Sequence, residues 1–479
     1  MTQKSWLVRR AALALLLMAS FYALAVGIAA ALLWIPYEAY ANDVQLPVKI
    51  TLMCVGLAGT ILWSILPRVD RFVPPGPSIT GDDAPELLAV LNEVAQRTAQ
   101  AMPDHVYLVG DVNAFVTQRG GVMGIGGRRV MGIGLPLMQS LTVQELRAVI
   151  AHEFGHYHSG DVAIGPWIYK TRAAIGRTIA RLSNSVLQRV FVAYGNMFLR
   201  TTHAVSRRQE IIADEVAASA AGATAMASAL RKVHGSALAF QRYWTAEVSP
   251  LLNSGYLPPL TDGFTRFTNL PSVQATVGEA VAAAEAAGNV NPYDTHPPLC
   301  ERLAALQSQP PGTVDDTRPA LALLPDASRW ERALLAASVN ADWAQSLRPV
   351  AWESVIDTVY VPMWRKAVEQ NRQLLNGWSI ARPPFAGLLS LDGRLGEPDQ
   401  GVLYQLHLFN LALSLTLLDS GWTAVTSPGA AITFTRDGLE VRPFSELMEV
   451  ATGRVTREQW ADRSAVLGLG PTFATLSNA

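Results

Sequence analysis

The sequence has little charge and almost no cysteine. Asp, Glu, Lys and Arg make up 16% of its 479 residues, against about 25% in an ordinary globular chain. That poverty, with 50% hydrophobic residues, excludes a disordered chain and a charged coiled coil. There is no basic excess either: 38 Lys and Arg stand against 39 Asp and Glu. A nucleic-acid binder carries a basic domain, so no nucleic-acid partner is expected. Two cysteines, Cys54 and Cys300, cannot build a disulfide scaffold or a four-cysteine zinc site. A phosphate loop is missing as well. Gly120, Gly121, Gly124, Gly126 and Gly127 are followed by no lysine in P-loop spacing; they read as a hairpin turn between short strands.

What the chain has is apolar length near its start. Ala11 to Trp34 carries no charge, a run of roughly 24 residues that can cross a hydrocarbon core of about 30 Å. Ile50 to Leu66 is a second run, about 17 residues and at the short end of the spanning range. Lys4, Arg9 and Arg10 precede the first run, and Ala39-Tyr40-Ala41 resembles a cleavage site. A signal-peptide core is only about 7–15 residues, so the run reads as a span. Arg68 and Arg71 follow the second run, while the loop between the two holds Glu38, Asp43 and a single base, Lys49. Basic residues stay inside. The expected arrangement is a transmembrane helical hairpin with both ends in the cytoplasm.

Pro74-Pro75-Gly76-Pro77 is a stiff linker. After it, Asp82 to Met102 reads as an amphipathic helix, and His105 to Gly110, Asn113 to Gln118 and Arg129 to Gly134 read as strands. Thr142 and Glu145 then form a capping box that starts a helix, with Leu146, Val149 and Ile150 as its buried stripe and Gly160 as its expected stop. His152 and His156 are four apart on that helix. Both imidazoles leave one face and can meet one ion. Glu153 follows the first histidine, where the zincin pattern puts its general base. Ser206 to Asp214 lies in another helical stretch, ended by Gly222. Its Glu210 and Asp214 are again four apart. One carboxylate can complete a two-His, one-carboxylate catalytic zinc site, and the other can accept the free ring N–H of a ligating histidine. Their neighbours Ile211, Ile212, Ala213, Val216 and Ala217 are apolar, and carboxylates on a buried helix need a cation to meet.

These blocks, with Asn113-Ala114-Phe115, His152 to Asp161, Ser206 to Asp214 and Asp294-Thr295-His296-Pro297-Pro298-Leu299 in this order, resemble the HtpX and CAAX-prenyl-protease family of gluzincin metallopeptidases. The resemblance runs from Pro103 to Leu303. It implies one Zn2+ per chain at His152, His156 and Glu210, catalysis by Glu153, and Asp214 behind a ligating histidine. It also implies that His296 approaches the metal and stabilises the oxyanion. Glu153 would take a proton from water and deliver it to the leaving amine. Substrate would add as a strand along an exposed edge, with Asn113 to Gln118 the expected edge. His158 points off the metal face.

Membrane-embedded members of that family carry further spans between the second histidine and the third ligand. Here Val162 to Gln209 has no uncharged run long enough to cross, and it contains no Asp or Glu. On a helical wheel Lys170, Arg177 and Arg181 cluster opposite Ile168, Ile175, Ile179, Leu182 and Val186. Such a helix either packs on the protease core or lies on the anionic cytoplasmic leaflet. Beyond Gln309 the resemblance fades. Helix-like segments at Trp330 to Trp343 and Leu403 to Leu418 precede a hairpin signal, Ala431 to Arg442, turning at Asp437-Gly438.

The expected fold is α+β and mainly helical: a membrane anchor over 1–75, a zincin-like catalytic domain over 76–309, and a small accessory α+β domain over 310–479. The expected function is a membrane-anchored zinc endopeptidase acting on protein or peptide substrates. Its place is the inner (cytoplasmic) membrane, its catalytic domain faces the cytoplasm, and the resemblance implies a role in protein quality control. The rival is a catalytically silent, membrane-tethered binding or chaperone-like protein, but every catalytic position is occupied.

Overall fold

The structure, a computed structural model, describes residues 3–66, 72–120, 127–156, 165–182, 186–287, 297–313, 316–338, 341–388 and 400–473. The chain divides into two compact units. One comprises Met1–Ala237 with Gly278–Ser338, the other Leu238–Val277 with Val339–Ala479.

The first unit begins with two apolar helices, α1 (Gln3–Ala41) and α2 (Val48–Ile65). Both are long and apolar enough to cross a membrane. A four-stranded sheet follows, built from β1 (Ser78–Ile79), β2 (His105–Val109), β3 (Ala114–Arg119) and β4 (Arg128–Gly134) in the order β1-β2-β4-β3. β2 runs parallel to β4, and the β3–β4 hairpin is antiparallel with Val116 opposite Met131. The expected strands are therefore present, and among the described residues no strand pairs with the outer side of β3. The amphipathic helix is α3 (Pro85–Arg97), shorter than expected, since Ala99 enters the left-handed region at φ 53 and breaks it.

After the short α4 (Leu135–Ser140) comes α5 (Val143–Gly155). Its capping box is formed: Thr142 Oγ1 accepts from Glu145 N, and Glu145 accepts from Thr142 N at 2.8 Å. Ser228 Oγ and Lys232 Nζ also donate to Glu145, at 2.6 and 2.8 Å. Leu146, Val149 and Ile150 join one core with Leu87 and Leu91 of α3 and Met131 and Ile133 of β4. That core continues past the expected boundary at Gln309, because Leu323, Leu324, Trp330 and Leu334 fill it too. α5 ends earlier than expected, at Gly155, so His156 is its C-cap residue. Gly160 and His158 lie outside the described residues.

Two helices bridge to the next part of the site, α6 (Gly165–Arg181) and the long α7 (Val186–Ala221). α6 and the first part of α7 pack on α1 and α2, while the later part of α7 packs on α5 and joins the catalytic core through Ala217, Ala218 and Ala221. Ala174, Ile175, Leu182, Phe191 and Phe198 share a cluster with Leu17, Phe21, Ala25, Ala58 and Ile61. The apolar face of α6 is thereby buried in protein, so it is not free to lie on a leaflet. Val186, expected on that face, is 77% exposed because α6 stops at Arg181 and Val186 opens α7. The expected stop at Gly222 holds, with that residue at φ +96.

In the second unit the helix Gln400–Asp419 is also long and apolar enough to span. Its Leu406, Phe409, Leu413 and Leu417 instead form the unit's core with Phe385, Phe434, Leu447 and Trp460. Thr423–Val425, Thr433–Arg436 and Leu439–Val441 make an antiparallel sheet. Its hairpin turns at Asp437 (φ 52) and Gly438 (φ 79), the two positive angles of a type I′ turn.

Candidate metal centre

α5 and α7 approach each other closely where Gly155 meets Ala213. A Cβ on Gly155 would lie 2.9 Å from the Ala213 Cα. This approach lets side chains from the two helices converge. His152 and Glu210 are buried, and His156 is half-buried. Their donor atoms all lie within 4.8 Å of one another. His152 Nε2 is 3.6 Å from Glu210 Oε2, and His156 Nε2 is 3.7 Å from Glu210 Oε1. Donors about 2.0–2.2 Å from a tetrahedral zinc stand about 3.3–3.5 Å from each other. The two-imidazole, one-carboxylate set fits such an ion, with one direction open.

Asp214 takes the other position. It is fully buried, and its Oδ1 lies 2.9 Å from His152 Nδ1. That contact holds the ring with Nε2 turned toward Glu210. A residue not picked out from the sequence closes this layer. Arg302, on the helix Leu299–Leu306, donates from Nε and Nη2 to the two oxygens of Asp214 at 2.8 and 2.7 Å. Its Nη1 lies 3.7 Å from Glu210 Oε2. The sequence signal for it was the buried carboxylate itself, which demands a cation; Arg302 stands three positions past Leu299 in the last matching block.

Glu153 is half-buried beside the two histidines, and the backbone N–H of Val116 on β3 donates to its carboxylate. Burial pushes its carboxyl up to about 7. Burial opposes a charge on His152, but its bonds to Asp214 and Glu210 prevail and carry the imidazole up to about 9. Asp214 goes the other way: burial alone would raise it, and Arg302 with His152 holds it below the usual carboxylate range. The edge strand and the acid–base candidate are thus in direct contact. His296 lies outside the described residues.

A helix pairing two histidines with a buried Glu–Asp helix, beside an edge strand, is the arrangement that a two-histidine, one-carboxylate metallopeptidase site requires. Comparison with known proteins agrees. Residues 82–309 match the family described as Peptidase family M48. A protease HtpX homolog of Gemmatimonas aurantiaca is 26% identical over 253 residues, 48% of this chain and 77% of the relative. A homolog from Variovorax paradoxus is 23% identical over 295 residues, 59% of this chain and 93% of the relative. Protease HtpX homolog 1 of Saccharolobus solfataricus reaches 45% identity, but over 69 residues, 14% of this chain and 22% of the relative. No solved structure matches. Residues 82–309 are thus similar to peptidase family M48, and this part of the chain is similar to HtpX-like proteases.

Proposed function

We propose that this chain is a membrane-anchored zinc endopeptidase whose active site faces the cytoplasm. His152, His156 and Glu210 hold the zinc, Asp214 orients His152, and Glu153 is the general base. When bound, zinc supplies a Lewis acid that polarises a peptide carbonyl and makes water more acidic. The Glu153 carboxylate accepts a proton from the attacking water and hands it to the leaving amine nitrogen.

The observation that carries this reading is the contact between Glu153 and the Val116 N–H. Gly134 N donates to Asn113 O, and the register pairs Phe115 with Gly132. Odd-numbered residues of β3 thus bond to β4, leaving the backbone groups of Ala114, Val116 and Gln118 directed outward. A substrate strand pairing there lies against Glu153, and backbone pairing reads no particular side chain. Broad specificity follows, and the sequence resemblance implies a place in inner-membrane protein quality control. The two basic ends around α1 and α2 support the cytoplasmic orientation. Metal analysis tests the zinc: about one zinc per chain, with peptidase activity lost to a chelator and restored by zinc, is expected. A metal-free protein of full activity contradicts it.

A further inference from the structure

The helix that carries Glu210 and Asp214 is held at two places. At the metal end Ala213 lies against Gly155 of α5. At the other end α7 is fastened to α1. Phe191, Tyr194 and Phe198 are three and four apart, so they share one helical face. Both phenylalanines are fully buried, in one cluster with Leu17, Phe21, Ala25 and Ile61 of the first two helices. The Phe21 ring stands 6.2 Å from Phe191 and 6.0 Å from Tyr194. The Tyr194 hydroxyl donates to Leu17 O at 2.6 Å, and Ser20 Oγ lies 2.6 Å from the same hydroxyl. An apolar contact tolerates a slide; a hydroxyl aimed at one carbonyl fixes the register of α7 along α1.

The two holds act on one element. α7 runs unbroken from Val186 to Ala221, and Phe198 stands about 18 Å before Glu210 at the rise of an α-helix. Between them Thr201, Thr202 and Ser206 donate to the carbonyls of Met197, Phe198 and Thr202, four residues back. Such bonds bend a helix, so the direction in which Glu210 leaves depends on where the far end is held. A metal site leaves little room for error, since ligand distances hold to within about 0.2 Å.

We infer that Phe191, Tyr194 and Phe198 are positioning residues of the metal centre: by fastening α7 to α1 they set where Glu210 and Asp214 stand. The apolar helical pair is then part of the peptidase site as well as its tether. This rests on the reading of His152, His156 and Glu210 as metal ligands.

The test uses the full chain in phosphatidylcholine nanodiscs, with zinc competition titration and the visible absorption of the cobalt-loaded protein. Phe191→Ala with Phe198→Ala should weaken zinc by about tenfold or more, the scale of losing a ligand's support, and should change the cobalt spectrum. Phe191→Leu with Phe198→Leu, which refills most of the space, should restore both. Leu87→Ala opens a cavity in the core under α3; it should lower the melting temperature and leave the cobalt spectrum as in the wild type. Should the alanine pair fail to fold, Ser20→Ala with Tyr194→Phe, which removes the latch and little volume, decides by the same spectrum. An unchanged zinc affinity and spectrum in the folded variant, or an equal loss in Leu87→Ala, overturns the inference. Wild-type protein that takes up neither metal refutes the ligand reading instead. Amide exchange over residues 206–214 then decides: faster exchange in the α7 variant and not in Leu87→Ala upholds the positioning, and unchanged exchange overturns it.

Discussion

Arg302 holds both oxygens of Asp214, at 2.7 and 2.8 Å, while the same Asp214 Oδ1 lies 2.9 Å from His152 Nδ1. One cation thus fixes the carboxylate that orients a histidine ring of the candidate metal centre. Asp214→Asn should weaken zinc binding by about 10- to 100-fold, the usual effect of losing a ligand's orienting partner. Arg302→Gln should weaken it less, but should destabilise the metal-free protein by about 1–3 kcal/mol, because a fully buried carboxylate loses the guanidinium that holds both its oxygens and keeps only His152. Zinc competition titrations and denaturant unfolding check the pair. Zinc affinity unchanged in Asp214→Asn would remove Asp214 from this role.

The contact of Gly155 with Ala213 sets a second expectation. At position 155 a methyl group has 2.9 Å to the Ala213 Cα and 3.2 Å to its Cβ, and neither backbone can yield alone. Gly155→Ala should cost about 1–3 kcal/mol, as overpacking does, and should loosen zinc by spreading His152 from Glu210. Gly155→Ala paired with Ala213→Gly should recover part of both losses. Calorimetry and zinc titration read the outcome.

Some of this was legible because it is local. The Thr142–Glu145 cap, the four-residue spacing of the two histidines, the stop at Gly222 and the Asp437-Gly438 turn each depend on neighbours in sequence. What the sequence could not say concerns partners far along the chain. Asp214 visibly needed a cation, yet its guanidinium comes from 88 positions away. The apolar face of α6 was equally plain, while its burial against Phe21 and Ile61 of the first two helices was not. An apolar stripe states that something covers it; it does not state what. Gln400–Asp419 makes the same point in reverse, since a composition fit for a membrane serves there as a unit's core.

Metal-free protein should lose stability as pH rises. His152 goes from an ordinary 6.5 to about 9 and Glu153 from 4.5 to about 7 in the folded chain. Both bind their protons more tightly when folded. The stabilisation is complete below 4.5 for Glu153 and 6.5 for His152, and is lost as pH passes about 7 and then about 9. Stability falls with pH wherever the native state holds more protons. Zinc must displace the His152 proton, so its binding should tighten over the same window. Melting temperatures with chelator and with zinc, taken from about pH 5 to pH 9, should diverge steadily. Parallel curves would contradict the two shifts.

The most direct test of the central claim is Glu153→Gln. The change removes a base and leaves His152, His156 and Glu210 in place. Zinc content and casein digestion should be measured on the same preparation, beside wild-type protein. The expected result is about one zinc per chain in both, with digestion lost in the variant, since an acid–base group of this kind contributes about 10²–10⁴-fold. A variant that keeps its zinc and digests casein at the wild-type rate would contradict the assignment of Glu153 and the mechanism built on it.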